Sequence, residues 1–523
     1  MRKLRVGVID LVTRGPTRAL YARVMNANLA SIMPQVVGVW CEEEGHEVTF
    51  VCYTGSEDLV RELPDPIDLV FIGAFTEAAF LAYALSNLFR SRGAITVLGG
   101  PHARCYPEDS RKQFDYVLGF TDKAVILDVL RDCSRHRPLG AHLQAKAQPS
   151  ALPGVRERWK FIEPTLRKAP LLKIVPMLGS LGCPYTCSFC IDSVVPYQPL
   201  DFKALTEDLR FLARNMRRPR VGWYDPNFGV RFDQYLDAID SAVPPGTIEF
   251  LAESSLSLLS EAHLRRLGRT GFTALLPGVE SWYELGDKSK TRHRGMDKVR
   301  EVSEHVNLIQ RHVPYVQTNF VLGLDSDAGE EPFELTKRFV DLTPGAFPGY
   351  SLLSAFGRAA PLNLQYQRAN RVLPFPFHFL DNNRAMNVKP KNYSWRDFYD
   401  QVIGLTRHTF SWRAIGNRFR ATEGVAPRLM NVVRAVSSEG FGRLAYYREV
   451  RRRLDSDREV QHYFDQESAE LPEFFVRQIR KDLGPLWEWL PTGALDHDPN
   501  AYLKSEGSSV LATSPAKARE ATS

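Results

Sequence analysis

Ile174-Val-Pro-Met-Leu178-Gly-Ser-Leu-Gly-Cys183-Pro-Tyr-Thr-Cys187-Ser-Phe-Cys190 is a short apolar run that passes straight into a glycine-flanked loop carrying three thiols. An apolar run of this length, bounded by glycine, reads as a buried strand. The thiols therefore sit at its carboxyl end, which in parallel α/β architectures is the face that holds ligands.

Working outward, the same pattern recurs. Apparent strands at Val221–Tyr224, Ile248–Ala252, Ala274–Pro277, Val316–Leu322 and Ser351–Ser354 alternate with helical stretches such as Lys203–Asn215 and Val299–Arg311. Six strand–helix repeats over residues 171–389 predict a partial β/α barrel. Residues 1–133 show a second alternation, with strands expected at Leu4–Ile9, Val48–Tyr53, Leu69–Gly73, Ile95–Leu98 and Tyr116–Leu118. That spacing predicts a doubly wound, Rossmann-like parallel sheet of five strands. Between the two, residues 134–170 lose periodicity and read as a connector, while 390–503 lose the strand signal and read as an α-helical domain. Residues 504–523 are Ser-, Ala- and Thr-rich and are expected to form a disordered tail.

Composition sets the outer bounds. The 523 residues exceed one ordinary core at roughly 150 residues per domain. With 44% hydrophobic and 24% charged residues and no long uninterrupted apolar run, no membrane span is expected. Asp10 ends the first apolar stretch too early for a signal peptide, so the chain reads as cytoplasmic. A formal charge of +6 is spread along the sequence and gives no indication of nucleic-acid binding.

All seven cysteines fall in the first 190 residues, an odd count that argues against a disulfide framework. Cys41, Cys52, Cys105 and Cys133 are scattered through apolar segments and read as small buried hydrophobes. Cys183, Cys187 and Cys190 are different: thiolates suit iron–sulfur clusters or zinc, and a cubane with three protein thiolates has one open iron. A structural zinc site would need a fourth ligand nearby, yet the next histidine after the loop is His263 and no later cysteine exists. A zinc-stabilised binding module or an iron–sulfur electron carrier stay as alternatives of another class.

The C-x-x-x-C-x-x-C loop, with Phe189 before its last cysteine, resembles the signature of the radical S-adenosylmethionine (SAM) superfamily. The resemblance implies that Cys183, Cys187 and Cys190 hold a [4Fe–4S] cluster whose open iron chelates SAM, and that an electron then cleaves SAM to a 5′-deoxyadenosyl radical. It also implies cofactor-binding roles at the ends of later strands. Asp225, Ser254 and Glu280 correspond to positions near the methionine, carboxylate or ribose, and Gly323 to the backbone near adenine. Each has an ordinary structural reading as well: a turn cap, a barrel ion pair or a bend.

Residues 1–133 are similar to the cobalamin-binding module that precedes the barrel in one radical SAM subgroup. Val97-Leu-Gly99-Gly100-Pro-His102 carries that likeness, the paired glycines leaving room for a nucleotide tail or simply making a tight turn. Many such modules carry D-x-H-x-x-G after the first strand; here Asp10 and Gly15 are in place but Val12 stands where the histidine would be. Either cobalamin binds without a protein ligand to cobalt or the cofactor has been lost. His46 and His102 are alternative imidazoles.

The resemblance implies an oxygen-sensitive enzyme, a cobalamin-dependent methyltransferase acting on an unactivated carbon of a small-molecule or natural-product substrate. Cyclisation or rearrangement without methylation is the alternative. The electron donor would be a flavodoxin or ferredoxin. The C-terminal aromatic and basic residues, among them Trp395, Tyr399, Trp412, Arg418 and Arg420, either line a substrate site or pack as ordinary helices.

Overall fold

Apolar runs bounded by glycine form strands almost where the sequence places them. The computed structural model describes residues 2–17, 19–133, 139–284 and 291–502. The first sheet contains β1 (Arg5–Leu11), β2 (Glu47–Tyr53), β3 (Leu69–Ala74), β4 (Ile95–Gly99), β5 (Tyr116–Leu118) and β6 (Ala141–Leu143). All are parallel, in the order β2-β1-β3-β4-β5-β6. The order reverses between β1 and β3, the switch point where doubly wound sheets open a crevice at their carboxyl ends.

The sheet thus has six strands rather than the five expected. The sixth lies inside the segment read as a connector, which also carries a helix at Val155–Lys168. Periodicity misses both because β6 is only three residues long and half of the helix's residues are charged, with Val155, Phe161, Ile162 and Leu166 buried on one side. The expected disordered tail lies outside the described residues.

The second sheet contains β7 (Ile174–Met177), then β10 (Arg220–Trp223), β11 (Glu249–Ser255), β12 (Phe272–Glu280), β13 (Tyr315–Leu322) and β14 (Phe347–Leu352) in sequential parallel order. Between β7 and β10 a short antiparallel pair, β8 (Ser180–Leu181) with β9 (Gln198–Pro199), closes off the cysteine loop. β7 and β14 do not pair, so the barrel is partial. β14 begins four residues earlier than expected, at Phe347 rather than Ser351.

Burial alternates along β13. Val316, Thr318, Phe320 and Leu322 are buried, with Phe320 against Trp282 and Phe339, while Gln317, Asn319 and Val321 are half-buried. The apolar side faces the outer helices and the more polar side lines the concave interior. Helices from Trp395 to Leu483 cover the remainder, their core made by Trp395, Phe398, Tyr399, Phe464 and Phe475. Most of the C-terminal aromatics are therefore packing residues; Trp412 is an exception, at 71% exposed.

Candidate active site between two sheet ends

The cysteine loop is shaped by its neighbours before any ligand is considered. Gly182 has φ +69°, and a Cβ there would collide with the carbonyls of Val195 and Pro196, so only glycine lets the loop double back this tightly. The Cys190 N–H donates to the Cys187 carbonyl at 3.1 Å, and the Cys183 N–H points at the Val195 carbonyl at 3.5 Å. The Asp192 N–H points at the Cys190 sulfur at 3.4 Å, a donor that favours thiolate. Leu362 N–H donates to the Ser188 carbonyl at 2.9 Å and anchors the far side of the loop. Phe189 packs half-buried against the core.

Asp225, at the end of β10, fixes the base of that loop. Its carboxylate accepts from the Gly179 N–H at 3.0 Å, from the Ser180 hydroxyl at 2.7 Å and from the Tyr235 hydroxyl. Burial raises its pKa while these donors pull it down. With its oxygens engaged by the protein, Asp225 holds the loop. Ser254 is likewise committed, donating to the Phe228 carbonyl at 2.9 Å.

Glu280 closes β12 with φ +64°, a strained conformation for a non-glycine residue. Its side chain folds back over Gly278, where a Cβ would collide with Oε1 of Glu280. Lys298 lies behind it, donating to the carbonyls of Ser281 at 2.5 Å and Glu284 at 3.2 Å; burial pushes its pKa down to about 8, partly countered by Glu280 and Glu284. Gly323, at φ +90° after β13, donates its N–H to Asp327 at 3.0 Å, and a Cβ there would meet Met386 and Phe398. Asp225, Ser254, Glu280 and Gly323 thus stand at the carboxyl ends of successive barrel strands, on the side of the cysteine loop.

A cavity of about 410 Å³ separates that loop from the carboxyl end of the first sheet. One wall is Gly73, Ala74, Gly99, Gly100 and Leu118; the other is Leu181, Gly182, Ile191 and Asp192, with Tyr224 and Pro226 from the end of β10. A Cβ on Gly99 would meet nothing within 4 Å, so that glycine opens onto space. Gly100, at φ +94°, instead makes a turn in which a Cβ would press on the Ala74 carbonyl at 2.8 Å. Leu29 and Phe75 line the cavity while each remaining 50% exposed. Half-exposed bulky apolar groups around a large crevice suit a broad organic ligand.

The histidine candidates are elsewhere. His102 is fully buried, its Nε2 2.7 Å from the Tyr83 hydroxyl and its ring against Tyr106 and Phe377; burial pushes its pKa down to about 3. His46 accepts from the Leu4 N–H at 3.2 Å, at the amino end of the sheet. Among the described residues no imidazole lines the cavity.

Asp10 and Gly15 do not line it either. Asp10 is buried beneath it and accepts from the Ser31 N–H at 2.6 Å; burial raises its pKa to about 6. Gly15 seats the loop after β1 on the C-terminal helix Glu473–Leu483, where a Cβ would collide with the Asp482 carbonyl. Residues unforeseen from sequence are Arg104 and Asp192, which face each other across the cavity wall at 3.2 Å. Asp192 stands two positions beyond Cys190 and Arg104 four beyond Gly100, the only cue the sequence offered.

The donor sets fit the groups the motifs imply. Three cysteines with an N–H aimed at one sulfur suit a thiolate-held cluster, and the glycine-floored, apolar cavity suits a corrin without a histidine beneath it. Among the described residues no three His, Cys, Asp or Glu side chains are gathered closely enough to enclose a single metal ion.

This pairing of a doubly wound domain with a partial barrel is a fold shared with two solved structures. The chain superposes on TsrM from Kitasatospora setae, a radical SAM methyltransferase with cobalamin and a [4Fe–4S] cluster bound, with TM-score 0.53 and 13% identity, covering 89% of this chain and 100% of TsrM. It superposes on OxsB, a cobalamin-dependent SAM radical enzyme with aqua-cobalamin bound, with TM-score 0.55 and 11% identity, covering 96% of this chain and 83% of OxsB.

Two curated proteins are similar in sequence. The chain is 22% identical over 361 residues to bacteriochlorophyllide d C-12(1)-methyltransferase of Chlorobaculum tepidum, spanning 68% of this chain and 77% of that protein. It is 25% identical over 232 residues to bacteriochlorophyllide d C-8(2)-methyltransferase of the same organism, spanning 41% of this chain and 50% of that one. No protein-family model matches the chain.

Proposed function

We propose that this protein is a cobalamin-dependent radical SAM C-methyltransferase acting on an unactivated carbon of a small-molecule natural product. The observation that carries the reading is the shared cavity, walled on one side by the cysteine loop and on the other by the glycine end of the first sheet. In this reading residues 1–133 form the cobalamin-binding unit, 171–389 the radical SAM barrel and 390–503 the helical cover, joined by 134–170. When bound, a [4Fe–4S] cluster would supply reducing power at the SAM site, and cobalamin would supply a transferable methyl group.

The chain's own residues bind, orient and exclude water. Cys183, Cys187 and Cys190 would hold the cluster, with Phe189 packed beside them against the core. Asp225 is a positioning residue that fixes the loop base, while Glu280, backed by Lys298, and the Gly323 turn shape the SAM site beside Ser254. Gly99 and Gly100 floor the corrin site, and Leu29 and Phe75 keep water from its rim. His102, Asp10 and Gly15 support the fold around it without touching the ligand. A flavodoxin or ferredoxin delivers the electron.

The similarity to enzymes named for bacteriochlorophyllide d supports a large, largely apolar substrate, and the tryptophan-bound form of TsrM, at TM-score 0.50 and 15% identity over 77% of this chain and 83% of that one, supports a small-molecule one. The test is anaerobic reconstitution followed by iron and sulfide analysis, electron paramagnetic resonance with and without SAM, and product analysis. The expected result is about four iron per chain, a spectrum altered by SAM, and both 5′-deoxyadenosine and S-adenosylhomocysteine. Formation of 5′-deoxyadenosine alone, with no cobalamin retained, would overturn methylation; a spectrum indifferent to SAM would overturn the class.

A further inference from the structure

Two consecutive helices, Trp412–Ala421 and Val425–Val436, carry apolar side chains on their outer faces. Of the twelve large hydrophobic side chains exposed among the described residues, six lie within residues 412–436, so the exposure is concentrated and not the scatter of an ordinary surface. On the second helix Val425, Leu429, Val433 and Val436 follow the spacing of a single helical stripe, with Val425 72% and Leu429 54% exposed.

The opposite side of that helix is the one the fold uses. Asn431 and Ala435 are buried, and Arg434 donates to the Tyr315 hydroxyl at 2.6 Å and to Oε1 of Gln317 at 2.7 Å, on the concave side of β13. The stripe therefore points away from the barrel and its substrate space. On the first helix Trp412 and Phe419 stand seven residues apart on one face, with Gly416 between them opening onto empty space. Trp412 packs edge-on against Phe441 at 5.3 Å, and Arg428 places its guanidinium 5.6 Å from the centre of the Phe419 ring, joining the helices.

Charge selects the occupant. Within 412–436 there are five arginines and one acidic residue, Glu423. Arg418 and Arg434 are taken up by the fold, while Arg413 and Arg420 are exposed and Arg428 is half-buried at the edge of the stripe. We propose that this outer face seats the protein on an anionic lipid–water interface, with the apolar stripe entering the headgroup boundary and the arginines meeting lipid phosphates. A second copy fits less well, because a two-fold interface would set the exposed arginines of both copies against one another with only Glu423 from each to offset them. No helix of the described residues is long and apolar enough to cross a membrane, so the contact would be peripheral.

Flotation of the full-length protein with vesicles of phosphatidylcholine, or phosphatidylcholine mixed with phosphatidylglycerol, tests this without any need for cluster or SAM, so its failure is separable from that of the methyltransferase reading. We expect flotation on the anionic vesicles that weakens with salt. Trp412→Ser with Leu429→Ser should lower partitioning by about tenfold or more, roughly the loss of several buried methylenes, with circular dichroism and thermal midpoint retained. Arg413→Glu with Arg420→Glu should abolish the preference for anionic lipid. Absence of flotation, or flotation unchanged in both variants, overturns the proposal. So does a wild-type dimer that Trp412→Ser with Leu429→Ser converts to monomer, which would make a second copy the occupant.

Discussion

Nη2 of Arg104 lies 3.2 Å from Oδ1 of Asp192, joining the helix that follows β4 to the cysteine loop. It is the side-chain ion pair in the wall of the cavity between the two sheet ends, and Arg104 also lies 5.5 Å from the centre of the Phe120 ring. A partly exposed pair of this kind contributes about 1 kcal/mol at most, so its value lies in registering the two walls. Arg104→Gln is expected to leave the thermal midpoint and iron content close to wild type while lowering cobalamin retention several-fold. Absorbance of bound cobalamin per chain checks this; unchanged retention would show that the wall keeps its spacing without the pair.

Asp225 gathers three donors at one buried carboxylate. Asp225→Ala strands the Gly179 N–H and two hydroxyls, at about 1–3 kcal/mol for each buried group left unsatisfied. Asp225→Asn also disappoints the site, because its amide nitrogen would face another donor. Both variants should unfold at lower temperature and assemble less cluster than Tyr235→Phe, which removes a single donor. A variant Asp225→Ala with full iron content and normal melting would refute the anchoring role.

Gly99 and Gly100 are adjacent yet should respond in opposite ways. Gly99→Ala enters open space and should fold normally, whereas Gly99→Ile should fold but occupy the cavity floor and lose cobalamin. Gly100→Ala must adopt φ +94° against the Ala74 carbonyl and should cost about 1–2 kcal/mol or more. Denaturant midpoints alongside cobalamin titration separate the two effects. Equal destabilisation by both alanines would contradict the geometry.

The raised pKa of Asp10, about 6 against an ordinary 3.8, gives a pH signature. Because burial disfavours its charged form, the folded state holds this proton more tightly than the unfolded chain between those two values. Folding stability from this residue is therefore greatest below pH 4, declines as pH rises to about 6, and is level above. Asp10→Asn should remove that decline, seen as a wild-type-minus-variant difference that changes between pH 4 and 6 and is constant from 7 to 8. A difference that is flat throughout would mean that Asp10 titrates normally.

Strand positions were legible because apolar β-branched runs ended by glycine have few other ways to fold. The predicted starts and ends of β2, β3, β4 and β5 lie within a residue of those observed. The cysteine loop was legible because its spacing is a property of eight consecutive residues, Cys183 to Cys190. β6 and the helix Val155–Lys168 were not, since a three-residue strand is too short to show alternation and the helix is too charged to show a broad apolar face.

For this protein the sequence by itself determined two successive parallel α/β units and the thiols at the end of β7, because local periodicity and loop spacing are properties of neighbouring residues. Only the tertiary structure decided which side chains reach the cavity. His102 turns inward to Tyr83, Asp10 binds Ser31, and Asp225 anchors the loop, while Arg104 and Asp192, 88 positions apart, meet across the cavity wall. That choice depends on which neighbours satisfy each buried polar group, and those neighbours come from distant segments that only the packed fold brings together.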